Sequence, residues 1–307
     1  MKHITLMAFA NGQVSTEPAD ITRYIGLGVV NVVGINPNKA ETEALFNRTL
    51  DEEPVYTGTQ EVDGKQIRFA RVDVVLRTVP EDNNGIENTS RMALFVREQF
   101  RYNRDQTKIQ VIDKYGRTAW VTKAELEAHE IPTYSNGNKA NLDKDYRPCY
   151  MGEEDLTNFF RTFLNIPAPM VYKNKTWVPA DNLEDCQARF DNIANLFKGD
   201  FSELKMAWEF QKTNKVKVLF GIRTNQEGKQ YQTFYTRMFL RNSQTSLDRL
   251  EEDVKQTQEA GGLTTSEFRV CPLQEYTVES TNLDNAPAAT GDNPFGNPND
   301  NPFFAGK

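Results

Sequence analysis

Histidine and cysteine are almost absent from this sequence. Its 307 residues hold two His, His3 and His129, and three Cys, Cys149, Cys186 and Cys271. The cysteines are far apart, odd in number and form no C-x-x-C pair. Neither a zinc site nor a disulfide framework is expected, and reduced thiols in a cytoplasm are. The start, Met1-Lys2-His3-Ile4, lacks the apolar run of a secretion signal. The longest apolar stretch, residues 25–35, is broken by Asn31 and too short to cross a bilayer. It reads as a buried strand, and no membrane contact is expected.

A surplus of positive charge is missing too. Lys and Arg number 36 against 43 Asp and Glu, a net charge of −7. That balance excludes a histone-like cationic coat, so any nucleic-acid site must be a local patch. Enzyme signatures fail in turn. Gly26-Leu27-Gly28-Val29-Val30-Asn31 lacks the third glycine of a dinucleotide loop, and there is no P-loop. His129-Glu130-Ile131-Pro132-Thr133 lacks the second His of a zinc-protease helix, and Pro132 would break that helix. No Gly-x-Ser-x-Gly elbow occurs. The expectation is a protein that is not an enzyme and needs no cofactor or metal.

What remains is a mixed pattern of strands and helices. Residues 1–60 form an N-terminal section, with a strand at 28–33 and a short helix near Pro37 whose inner side carries Ala40, Ala44 and Leu45. Residues 65–123 alternate as strands around a turn at Asp113-Lys114-Tyr115-Gly116. Residues 150–210 read as helical. Leu156, Phe159, Phe160, Phe163 and Leu164 recur with the spacing of a buried helix face. A second helix is expected from Leu183 to Phe197, stopping at Gly199, and a third after an N-cap at Asp200. Residues 214–241 return to strand as a long hairpin, a helix is expected at 247–259, and a last strand pair at 267–279. From Ser280 onward Asn, Pro, Gly, Ala and Asp dominate, a composition that does not build a core.

The hairpin carries the chemistry. Val216, Val218, Phe220 and Ile222 alternate with Lys215, Lys217, Leu219 and Arg223. On the return strand Phe234, Met238 and Leu240 alternate with Tyr231, Thr233, Tyr235, Arg237, Phe239 and Arg241. With Arg223 opposite Tyr231, Leu219 meets Tyr235, Lys217 meets Arg237 and Lys215 meets Phe239. One face becomes core and the other a sheet of cations and rings. Residues 211–241 hold seven Lys and Arg against one acid, Glu227. Single strands need that mixture, because unpaired bases stack on rings and phosphates recruit cations. Cations on a solvated face, with Tyr–Leu pairs that merely stabilise the sheet, are the competing reading. A fainter echo lies in Arg97, Arg101 and the turn Lys114, Tyr115, Arg117. Trp120 is equally consistent with core and ligand.

The hairpin Lys215–Arg241, the turn Lys114–Arg117 and the tail motif Asp300-Asn301-Pro302-Phe303-Phe304 together resemble the replicative single-stranded DNA-binding proteins of tailed bacteriophages, of the large gut-phage, crAss-like type. The resemblance implies an α+β fold: an OB-like five-stranded barrel with an enlarged helical insertion between strands three and four. It implies an N-terminal section at 1–60, an OB-like core at 61–279 with the insertion at 150–210, and a disordered tail at 280–307. It also implies coating of single-stranded DNA in the host cytoplasm during replication and recombination. The tail, through Asp292, Phe295, Asp300, Phe303 and Phe304, would recruit phage replication or recombination proteins. RNA as the ligand, a virion protein using the same β face for subunit contacts, and Asn-Pro-Phe motifs for an adaptor domain stay open as alternatives.

Overall fold

The computed structural model of the chain describes residues 21–83, 85, 87–173, 176–224, 230–234, 240–241, 269–270 and 277–281. The expected helix at 247–259 and the tail from residue 282 lie outside these. In chain order the first elements are β1 (Ile21–Ile35), α1 (Lys39–Phe46), β2 (Thr57–Val62), β3 (Lys65–Thr78) and β4 (Thr89–Phe100). β5 (Lys108–Ile112), β6 (Thr118–Thr122), α2 (Lys123–Ala128), β7 (Arg147–Pro148), β8 (Tyr150–Met151) and α3 (Glu153–Phe163) follow. Then come β9 (Met170–Lys173), β10 (Thr176–Pro179) and α4 (Ser202–Phe210). The last are β11 (Lys215–Thr224), β12 (Gln230–Phe234), β13 (Leu240–Arg241), β14 (Arg269–Val270) and β15 (Thr277–Thr281). The fold is mixed, with antiparallel sheets and few helices.

Two compact units arise, and neither is continuous in sequence. One comprises residues 1–53, 75–92 and 215–307; the other comprises 54–74 and 93–214. These units do not follow the linear sections at 1–60 and 61–279, and β3 and β4 supply residues to both.

In the first unit the strand order is β12-β11-β1-β3-β4. β1 is longer than the apolar run alone predicts, because its start pairs with β15 and its middle with β11. Val216 and Val218 of β11 are fully buried, as is Val30, the cross-strand partner of Val216. Phe220 packs on Phe234 with ring centroids 5.1 Å apart. Asn83 completes the β1 ladder: its side chain accepts from Val29 N at 3.0 Å and donates to Val29 O at 2.8 Å. α1 begins at a capping box, in which Glu41 N donates to Asn38 Oδ1 at 2.9 Å and Asn38 N to Glu41 Oε2 at 2.8 Å. Its inner residues are Thr42 and Phe46, while Ala40 and Ala44 are exposed. The β-carbon direction of Gly34 meets Leu45 Cδ1 at 3.3 Å, so β1 and α1 approach closely at a glycine.

In the second unit β2, β3, β4 and β8 are successive neighbours, and β6-β5-β7 form a separate three-stranded sheet. That sheet packs Ile109, Val111, Ala119 and Val121 against Ala140, Leu142 and Tyr146. α3 buries Leu156, Phe159, Phe160 and Phe163 completely, as its periodicity predicts. Each such side chain contributes about 1.5–3 kcal/mol of burial. Gly152 starts the helix with φ +88°, and a β-carbon there would lie 1.8 Å from Phe95 O.

The helix expected at 183–197 is absent; two 3₁₀ segments, Glu184–Cys186 and Ile193–Lys198, take its place. The reason is tertiary. Ala188 N and Arg189 N both donate to Lys114 O, and Arg189 Nη1 donates to Asp145 O at 3.0 Å and to Ile112 O at 3.3 Å. These bonds hold residues 187–189 extended and override a helical period. β9 and β10 add a hairpin inside the section that reads as helical. α4 begins at Ser202 after an N-cap at Phe201 that makes no side-chain cap bond, so Asp200, expected as the cap, lies one residue too early; its Oδ1 accepts from Ser202 N at 3.0 Å.

Candidate nucleic-acid interface

The hairpin begins as the alternation predicts. Arg223 pairs with Tyr231, Gly221 with Thr233 and Phe220 with Phe234. Arg223 and Tyr231 thus occupy one rung of the ladder. Pairing of β11 with β1 ends at Phe220, whereas its ladder with β12 continues to Thr224.

The other half of the hairpin departs from expectation. Lys217 pairs with Leu240 and Val216 with Arg241, whereas the alternation places Arg237 opposite Lys217. The register moves by three residues between the two ladders. An odd shift exchanges the faces. Lys217 is only 7% exposed and lies opposite Val29, itself buried, on β1. Lys215 Nζ donates to Asp82 Oδ2 at 2.8 Å. These two cations are thus committed to the fold and do not form an open cationic face. Tyr235, Arg237 and Phe239 lie outside the described residues, as do Asp292, Phe295, Asp300, Phe303 and Phe304.

In the second unit the predicted cations are also engaged by protein groups. Arg97 is buried and donates to Met151 Sδ at 3.4 Å. The turn 114–117 is built around Asp113, whose side chain is fully buried. Asp113 Oδ1 accepts from Tyr115 N at 3.0 Å and Arg117 N at 2.9 Å; Oδ2 accepts from Arg117 Nε at 2.7 Å and Asp143 N at 2.9 Å. Lys114 pairs with Asp143 at 3.6 Å. Tyr115 is 5% exposed, with Lys114 Nζ 5.1 Å and Arg117 Cζ 4.8 Å from its ring centroid. A buried ring flanked by paired cations offers no base a stacking face. Lys114, Tyr115 and Arg117 form a structural turn.

Arg101 has a different setting. Gln110 and Trp120 are cross-strand partners on the face of β5 and β6 opposite their buried core residues. Gln110 N donates to Arg101 O at 2.8 Å, placing Arg101 beside that rung. Arg101 Nη1 donates to Glu154 Oε2 at 3.2 Å and Gln110 Oε1 at 3.3 Å, and its Cζ lies 5.8 Å from the Trp120 ring centroid. Gln110 Nε2 and Thr118 Oγ1 also donate to Glu154, at 3.0 Å and 3.3 Å. Trp120 is half-buried, and Lys108 is exposed two residues along the same strand face. Sequence reasoning missed Lys108, Gln110 and Glu154. Lys108 and Gln110 share parity on β5, which is the one local signal available for them.

Among the described residues no group of three or more His, Cys, Asp or Glu could hold a metal ion, and no helix is long and apolar enough to cross a membrane. No family model, curated protein or solved structure matches the chain.

Proposed function

We propose that this protein binds single-stranded nucleic acid, with DNA as the principal ligand, and performs no catalysis. The observation that carries the reading is the Arg223–Tyr231 rung, set in a stretch of seven Lys and Arg against one acid. A ring beside a cation serves a base and its phosphate together, for about 1–3 kcal/mol per stacked base. Duplex DNA presents no free base faces, which favours the single strand. On this reading the antiparallel sheet is OB-like and residues 150–210 are an insertion. The protein coats single strands in the cytoplasm of a phage-infected cell, and the tail recruits replication or recombination proteins.

The test is binding of labelled oligo-dT, oligo-rU and matching duplex to the purified chain. Oligo-dT should bind most tightly, with log affinity falling against log salt by about 0.7 per phosphate contacted. Equal affinity for duplex, or no binding at low salt, removes the reading; preference for oligo-rU makes RNA the ligand.

A subunit-contact role in a virion is the second reading. Met206 and Phe210, four residues apart on α4, favour it, being 66% and 80% exposed. Met and aromatic side chains on one helix face suit a protein interface. Self-association lost on Met206→Ser/Phe210→Ser, in a chain that ignores oligo-dT, would select it.

A further inference from the structure

The face of β5 and β6 around Trp120 holds a set of groups that the hairpin does not explain. Three features of it point to a ligand. A tryptophan is kept half-buried on the side away from the sheet's own core, beside a buried glutamine, Gln110. A guanidinium is held beside the ring by two acceptors, Glu154 and Gln110. An exposed cation, Lys108, stands on the same face about 6.6 Å along the strand from the Trp120 rung.

Charge decides which groups serve a ligand. Glu154 neutralises Arg101 and also accepts from Gln110 and Thr118. Arg101 is therefore a poor partner for a phosphate, and its planar cation serves to hold and polarise the indole. Among the described residues Lys108 has no such acid: its backbone N donates to Asn103 Oδ1, and its cross-strand neighbour is Thr122. The site thus has a ring at one end and, at the other, a cation with no acid among the described residues, with the carboxylate spent between its three donors.

We propose that Trp120 and Lys108 form a second nucleotide-binding site, in which one unpaired base stacks on the indole and the adjoining phosphate meets Lys108. Arg101 and Glu154 are positioning residues: Arg101 orients the ring and Glu154 fixes Arg101. The site deepens the single-strand reading and rests on it. It takes an unpaired nucleotide within a strand, because one stacked base with one phosphate gives little affinity alone but adds to contacts made elsewhere on the same strand.

The experiment uses the full chain with Trp177→Phe and Trp208→Phe, leaving Trp120 as the only fluorophore of its type. Oligo-dT should quench its emission in proportion to the fraction bound, as followed separately by anisotropy of the labelled oligonucleotide; matching duplex should not. Trp120→Ala should weaken oligo-dT roughly 5- to 150-fold, the range of one stacked base, and Trp120→Phe should restore most of it. Lys108→Ala should lower the salt slope by about 0.7, with Lys108→Arg restoring it. If the two-Phe background fails to fold, ¹⁹F resonances of the 5-fluorotryptophan-labelled chain, assigned with Trp120→Phe, give the same readout. Anisotropy that reports binding while the Trp120 signal stays unmoved overturns this site and leaves the single-strand reading standing. No anisotropy change at low salt overturns both.

Discussion

Removing Asp113 separates a structural turn from a ligand site at residues 114–117. The carboxylate is fully buried, receives four hydrogen bonds and pairs with Arg117, whose side chain is 14% exposed. In Asp113→Ala, Arg117 loses its counter-charge while staying largely desolvated. Breaking one partner out of a buried pair costs about 3–5 kcal/mol. Three backbone donors, Tyr115 N, Arg117 N and Asp143 N, also lose their acceptor, but the vacated space admits water and recovers part of that loss. The net expectation is about 4 kcal/mol, or a fall in Tm of roughly 10 °C for a unit of this size. Asp113→Asn keeps an acceptor for the two N–H groups on Oδ1 but sets an amide against Arg117, so it should cost about half as much.

Urea and thermal unfolding of the purified variants measure this directly, followed by tryptophan emission and by circular dichroism. Oligo-dT affinity, measured well below each variant's Tm, should be unchanged. The same holds for Arg117→Ala and Lys114→Ala. The reasoning is refuted if Asp113→Ala unfolds within 1 kcal/mol of wild type while Arg117→Ala weakens oligo-dT tenfold. That pairing of results would mean the turn binds the strand and its ion pairs are incidental.

Three other outcomes follow from single positions. Gly152→Ala should destabilise by more than the roughly 1 kcal/mol of an unfavourable left-handed residue, since its β-carbon would strike Phe95 O, and chemical denaturation reads the loss. Burial holds the Glu203 carboxyl above the ordinary glutamate range despite hydrogen bonds from the Asn192 and Asp191 backbone. The folded state thus holds this proton more tightly than the unfolded chain does. The stability this gives is complete below the unfolded value near 4.3 and is lost as pH rises through the raised folded value, so Glu203→Gln should flatten that decline in a pH series of melts. Burial also pushes the Cys149 thiol far up, so iodoacetamide should label it only at the rate of unfolding; labelling within minutes under native conditions would contradict its placement.

Legibility in this chain follows sequence distance. The α3 stripe is decided by residues within one or two turns, and it reads correctly from its own neighbours. The first hairpin rungs are equally local, since a short connection fixes Arg223 against Tyr231. Several departures involve a partner far along the chain, whereas the β9–β10 hairpin is a local one. Arg189 pulls residues 187–189 out of helix through Ile112 and Asp145, which are 77 and 44 positions away. Lys217 is buried beside Val29 of β1, and Lys215 is matched by Asp82 at a separation of 133. Counting charge in a window finds Lys215, Lys217, Lys114 and Arg117 as a surplus because their acids lie elsewhere or serve several donors at once. Asp113 is the instructive exception. It stands four residues before Arg117, within any window, yet its formal charge is only one against several cations. A single buried carboxylate with its lone pairs shared among four donors outweighs its formal charge, so the number of acceptors a fold can concentrate on one acid, and not net charge, separates a cationic patch that meets a ligand from one that meets its own protein.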